Sequence, residues 1–164
     1  MAVVERQELV EACRGHRDAG RRIVFTNGCF DILHRGHVDY LSRAKALGDV
    51  LVVGLNTDRS VGELKGPCRP IVPEEDRAHV LDALSVVDYV VLFDEPTPLE
   101  VIEALQPDVL VKGAGYTRDT IVGADVVESR GGQVVALAPV PGRSTRSIIA
   151  TILERGRGCL GGSR

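Results

Sequence analysis

The sequence predicts an α/β fold: one open, mainly parallel sheet of about five strands with helices on both faces. Three observations predict it. Short β-branched runs alternate about five times with stretches of helical periodicity. One of these runs, "DVLVVGLN" at 49–56, is nearly all apolar, as a parallel strand covered on both faces must be. The polar clusters lie just after the strands, at the edge where such sheets bind ligands.

Residues 1–20 form an N-terminal helical segment, with a helix over 5–19 closed by Gly20. "RRIVFT" (21–26) is a strand that ends in the Asn27-Gly28 turn. From Gly36 to Leu47, the apolar residues Val38, Leu41, Ala44 and Leu47 recur at helical spacing until Gly48. The second strand (49–56) leads into "TDRSVGELKGPCRPIVP" (57–73), whose weak periodicity predicts a long functional loop. "PEEDRAHVLDAL" (73–84) opens with proline and three acids, a helix start. "DYVVLF" (88–93) is a strand, and "TPLEVIEAL" (97–105) is a helix closed before Pro107. "DVLVKG" (108–113) and "QVVALAP" (133–139) are the last strands, with a helix near 121–129 between them. "GRSTRSIIATILERG" (142–156) is a final helix that Ser144 or Thr145 can cap, and 157–164 is a flexible tail. The pattern is a single Rossmann-like, doubly wound domain over 1–156, without repeat or linker. The loops to watch follow positions 26, 56, 93, 112 and 139.

The 164 residues suffice for one domain, and 44 % apolar with 26 % charged residues is a globular balance. A net charge of −3 and the lack of a basic block speak against nucleic acid as a partner. The longest apolar runs are strand-sized, and the charged start lacks a signal-peptide centre. The expectation is a cytoplasmic protein with no membrane partner. Cys13, Cys29, Cys68 and Cys159 form no CxxC pair, so no disulfide framework is expected. Cys29, beside the main motif, reads as a small buried turn residue before it reads as a reactive thiol.

That motif is "GCFDILHRGHVDYL" (28–41). The first strand's exit carries Thr26, Asn27, Gly28, Phe30, Asp31, His34 and His37. A glycine turn lets backbone N–H groups approach an anion, and the following helix start adds partial positive charge. His34 and His37 can then donate to phosphate oxygens, and the more strongly for being charged. A metal site with Cys29 and Asp31, or two ordinary helix-start histidines, are the alternatives on spacing alone. No GxxxxGK[ST] loop occurs, and "GAGYTR" (113–118) lacks the third glycine of a dinucleotide fingerprint.

"TNGCFDILHRGHVDYL" resembles the signature of the cytidylyltransferase-like nucleotidyltransferases. The resemblance continues through "GLNTD" (54–58), "LKGPCRP" (64–70), "EEDRAHVL" (74–81), "PDVLVKGAGY" (107–116) and "STRSII" (144–149), over roughly 20–154. Within that superfamily the series is most similar to the heptose 1-phosphate adenylyltransferase branch of ADP-heptose synthesis. The resemblance implies transfer of a nucleoside monophosphate, from ATP by the branch, to a heptose 1-phosphate, with release of pyrophosphate. His34, His37 and Lys65 would be catalytic. Thr26, Asn27, Gly28, Cys29, Phe30, Lys112, Gly113, Gly115, Tyr116, Ser144 and Thr145 would hold the nucleotide. Asp31, Asn56, Asp58, Lys65, Arg69 and Arg77 would hold the other substrate, although Arg77 could equally pair with Glu74 or another acid.

Mg2+ is expected on the triphosphate, held by phosphate oxygens and water, with Asp31 or Asp58 as candidate aids. A separate sugar kinase and a homodimer are also implied. Gly115 stands where "VKGGDY"-like members carry an acid, and Arg143 and Arg146 flank Ser144-Thr145. These departures leave ATP, GTP and CTP open. The alternatives are another small phosphate ester as acceptor, such as glycerol 3-phosphate with CTP, or a non-catalytic nucleotide-binding module. A fragment related to class I aminoacyl-tRNA synthetases would share the HxGH element, but no KMSKS-like loop is present.

Overall fold

The computed structural model describes residues 3–113, 120–138 and 140–160. The chain runs α1 (Arg6–Asp18), β1 (Ile23–Gly28), α2 (Arg35–Lys45), β2 (Val50–Asn56), α3 (Asp58–Lys65) and α4 (Glu74–Asp82). It continues through β3 (Tyr89–Phe93), α5 (Leu99–Leu105), β4 (Val109–Gly113), α6 (Ala124–Ser129), β5 (Gln133–Leu137) and α7 (Thr145–Leu160). The strands form one sheet in the order β3-β2-β1-β4-β5, and every neighbouring pair is parallel. This is the predicted Rossmann-like, doubly wound arrangement.

Strand alternation feeds two apolar layers. On one face Ile23 and Phe25 pack with Leu9 and Cys13 of α1 and with Ile102 and Leu105 of α5. On the other, Val24, Leu51 and Val53 pack with Leu41 and Ala44 of α2 and Leu81 of α4. Every residue of β2 is buried, which explains its unbroken apolar run.

Three aspartates placed just before strands fix the register. Asp49 Oδ2 accepts from Arg22 N at 2.7 Å, Asp88 Oδ2 from Leu51 N at 2.6 Å, and Asp108 Oδ2 from Ile23 N at 2.7 Å. Each ties the start of its own strand to the start of the strand beside it. Replacing Asp108 with alanine leaves a backbone N–H without its acceptor. We expect a loss of about 1–2 kcal/mol in the free energy of urea unfolding at an unchanged m-value. An unchanged midpoint would contradict this role.

Two expectations are corrected. The stretch 57–73 is not one long loop, because α3 occupies its first half. Thr57 caps that helix by accepting from Ser60 N at 3.2 Å. Only Val61 and Leu64 are large apolar residues in it, and Gly62 interrupts them, so the helical period is unreadable. The last helix extends to Leu160, beyond the predicted end at 156. Gly115 and Tyr116 lie outside the described residues. Among the described residues, no helix is long and apolar enough to cross a membrane.

Candidate functional site

From β1 the chain moves outward through β2 and β3, then returns to the other side of β1 as β4. The carboxyl ends of β1 and β4 therefore flank the switch in strand order, where a crevice opens. The loop from β1 to α2 crosses it with two residues in the left-handed region, Phe30 at φ 44° and Ile32 at φ 53°. Asp31 between them is buried, and its carboxylate accepts from Arg69 Nε at 2.6 Å, Ile71 N at 2.8 Å and Val72 N at 3.0 Å. Burial alone would raise its pKa, but these donors outweigh burial and hold it below the ordinary value. Thr145 donates its hydroxyl to Asp31 O at 2.7 Å, which ties the start of α7 to the same loop.

His34 is the N-cap of α2, and its Nδ1 accepts from Gly36 N at 3.0 Å. The proton of the neutral ring is therefore on Nε2, available as a donor. A Cβ at position 36 would stand 2.8 Å from His34 Cε1 and 2.9 Å from Nδ1. The glycine of the HxGH element is thus required by the folded-back ring of His34. His37 stacks on that ring at a centroid distance of 3.9 Å and meets the edge of Phe30 at 5.3 Å. Its Nδ1 is buried, with no hydrogen-bond partner among the described residues.

Burial, with His34 as a lesser cause, lowers the His37 pKa to about 4. Burial and then Arg143 also lower that of His34. The charged imidazoles expected from the sequence are corrected: at neutral pH His37 is uncharged. The positive charge at the crevice comes instead from lysine and arginine. Lys112, at the end of β4, donates to Asn27 Oδ1 at the end of β1. Burial lowers its pKa to about 8, so it is mostly charged at pH 7. Burial raises the Cys29 thiol above its ordinary value despite Lys65, Arg77 and Arg69 nearby, which keeps it protonated.

Two cavities open from this crevice, one of about 330 Å³ and one of about 610 Å³. Asn27, Gly28, His37, Lys112, Ser144 and Thr145 line both. Cys29 and Phe30 also face both. The smaller adds His34, Gly113 and Arg143, whereas the larger adds Asn56, Lys65, Arg69 and Arg146. Ser144 caps α7 by accepting from Ser147 N at 3.1 Å, while Ser147 Oγ donates to Ser144 O at 2.7 Å. Capping and a place on the cavity wall coexist there.

Four residues expected at the site hold structure. Thr26 is fully buried, with its hydroxyl 2.7 Å from that of Tyr40. Asp31 lines the larger cavity, but its carboxylate already accepts from Arg69, Ile71 and Val72, which fixes the loop. Arg77 is buried and donates to Val72 O at 2.9 Å, Cys29 O at 2.6 Å and Asp58 Oδ1 at 2.6 Å. Asp58 is thereby the partner of Arg77 and lines neither cavity. The acid that pairs with Arg77 is thus Asp58 rather than Glu74, which accepts from Asp58 N instead. The sequence reading missed Thr97 and Pro98 on the larger cavity, although it flagged the loop after 93 that carries them.

Comparisons with known proteins bear on the family and the fold. The bifunctional protein HldE of Syntrophotalea carbinolica is 57 % identical over 150 residues, covering 92 % of this chain and 31 % of that protein. The chain thus spans about a third of the length of such relatives. A crystal structure of the lipopolysaccharide core biosynthesis protein of Thermoplasma volcanium matches with TM-score 0.58 and 29 % identity, over 74 % of this chain and 98 % of that one. The pantoate-beta-alanine ligase of Francisella tularensis, at 14 % identity and TM-score 0.59 over 92 % of this chain and 76 % of that one, shares the fold. The family model described as Cytidylyltransferase-like matches residues 25–150, and the chain belongs to that family.

Proposed function

We propose that this chain transfers the nucleoside monophosphate of a nucleoside triphosphate to a sugar 1-phosphate, releasing pyrophosphate. The observation that carries the reading is the pair of cavities meeting at His37 and Lys112. A transfer between two substrates needs two compartments that open on one reacting atom. The motif series from "TNGCFD" to "STRSII", which resembles the heptose 1-phosphate adenylyltransferase branch, favours a heptose 1-phosphate as acceptor and ATP as donor.

In this reading the smaller cavity takes the nucleotide and the larger takes the acceptor. The acceptor's phosphate oxygen attacks the α-phosphorus in line, and pyrophosphate leaves. No covalent protein intermediate is needed, so the chain's task is positioning and stabilising charge. His34 donates through Nε2–H, and His37 stands at the junction. Lys112 and the exposed Lys65 neutralise phosphate charge, joined by Arg69 beside the acceptor. Ser144 and Thr145 bring the start of α7 to the same anion.

Mg2+ supplies further neutralisation of the triphosphate when bound. Among the described residues no group of three or more ligating side chains converges. Triphosphate oxygens and water suit it as ligands. A kinase-made acceptor and a homodimer are part of the same proposal.

A matrix of ATP, GTP and CTP against heptose 1-phosphate, other sugar 1-phosphates, glycerol 3-phosphate and ethanolamine phosphate tests it, with pyrophosphate release as the readout. ATP with heptose 1-phosphate should give the highest kcat/KM. Good turnover of another acceptor without turnover of any sugar 1-phosphate would sink the proposal.

A further inference from the structure

One part of the larger cavity's lining is apolar. It is built by the turn after β3, where Pro96, Thr97 and Pro98 line the cavity beside Phe93. Leu64 and Val122 extend its apolar surface. The two prolines restrict the backbone on either side of Thr97. The residues leading into the turn are braced. Asp94 accepts from Arg59 Nε at 2.8 Å and from the Thr57 hydroxyl, and Glu95 accepts from Arg6 of α1. Arg59 belongs to α3, the helix that ends in Lys65. The turn and the phosphate-facing lysine therefore share one braced wall.

Thr97 is exposed in this cavity, and its hydroxyl has no hydrogen-bond partner among the described residues. Lys65, Arg69, Lys112 and Arg146 line the same space, while both Asp31 oxygens are already bonded. That charge favours an anionic phosphate on a neutral skeleton and opposes a cationic head group. Apolar surface beside one open hydroxyl suits a ring with C–H faces and hydroxyl edges.

We propose that Thr97, held between Pro96 and Pro98, reads a hydroxyl on the acceptor's carbon skeleton. This turn then selects a neutral, polyhydroxylated phosphate ester over a small or cationic one. The inference rests on the nucleotidyl-transfer reading above.

Thr97→Val keeps the side-chain shape at an exposed position and removes only the hydroxyl's bonding. Steady-state kinetics with the sugar 1-phosphate should show the acceptor KM rising about 5- to 10-fold, the loss of one hydrogen bond. The KM for the nucleoside triphosphate should stay unchanged, and Thr97→Ser should restore the acceptor KM. The preference for the sugar 1-phosphate over glycerol 3-phosphate should narrow by the same factor. An unchanged acceptor KM in Thr97→Val, or equal rises in both KM values, overturns the role of Thr97 while leaving nucleotidyl transfer intact. A wild-type chain that uses only ethanolamine phosphate or glycerol 3-phosphate overturns the acceptor reading itself, before any variant is made.

Discussion

Replacing His37 with alanine is expected to lower kcat for nucleotidyl transfer by about 100- to 1,000-fold, the usual effect of removing one transition-state donor. The ring stands where the two cavities meet. The fold has little need of it as a hydrogen-bonding group, since its buried Nδ1 finds no partner among the described residues. Losing the contacts with His34 and Phe30 costs about 1–2 kcal/mol, too little to unfold a typical domain. Pyrophosphate release alongside a circular-dichroism melt separates the two effects. Turnover at the wild-type rate in a folded His37→Ala protein would contradict the assignment.

The same residue predicts an acid limb in stability. Its folded pKa, about 4, lies below the unfolded value of 6.5, so the unfolded chain binds the proton first. The stabilisation is complete above pH 6.5 and is lost as pH falls toward 4. His37→Gln, which does not titrate, should flatten that limb in urea unfolding series taken between the two values.

Replacing Lys112 with methionine should have an effect of similar size, and its pH dependence is diagnostic. The ammonium sits at the switch in strand order, on the wall common to both cavities. Because burial lowers its pKa to about 8, it carries charge below that pH and loses it above. Nucleotide affinity should hold up to about pH 8 and then fall roughly tenfold per pH unit. Lys112→Arg stays charged throughout, so the fall should vanish even if the altered geometry lowers overall activity. Lys112→Met should bind weakly at every pH, with about a 100-fold loss for a missing phosphate-facing charge. Isothermal titration with the triphosphate from pH 6.5 to 9.5 checks all three proteins. A wild-type affinity that is flat across pH 8 removes Lys112 from the triphosphate site. The stability sign is opposite in use: the unfolded chain binds more protons between pH 8 and 10.5, so stability rises across that window.

Much of the architecture was legible because the strands are apolar runs of clear length, and doubly wound sheets bind ligands at a stated edge. The α3 helix was not legible. Its two exposed-facing turns carry Arg59, Glu63 and Lys65, and its cap, Thr57, looks like any loop threonine. The motif residues located the crevice, but burial, which a motif cannot state, reassigns several of them. Asp31 and Arg77 look like substrate ligands in one dimension, yet the fold commits Asp31 to backbone N–H groups 40 or more positions away and Arg77 to the Cys29 carbonyl and the Asp58 carboxylate. The charge on His37 was misjudged for the same reason. Thr97 carried no motif at all, and only its loop position pointed to it.

Arg77 has a consequence for redesign. Its guanidinium is a tie rod through three separate chain segments: the turn at Cys29, the bend at Val72 and the head of α3 at Asp58. Those segments are mechanically one part. Transplanting any of them singly from a relative would leave a buried cation facing an altered anchor, so they must be exchanged together. The turn at 96–98 is not among the anchors of Arg77, but Asp94 just before it is tied to Thr57 and Arg59 at the head of α3, so a redesign of the turn must keep Asp94.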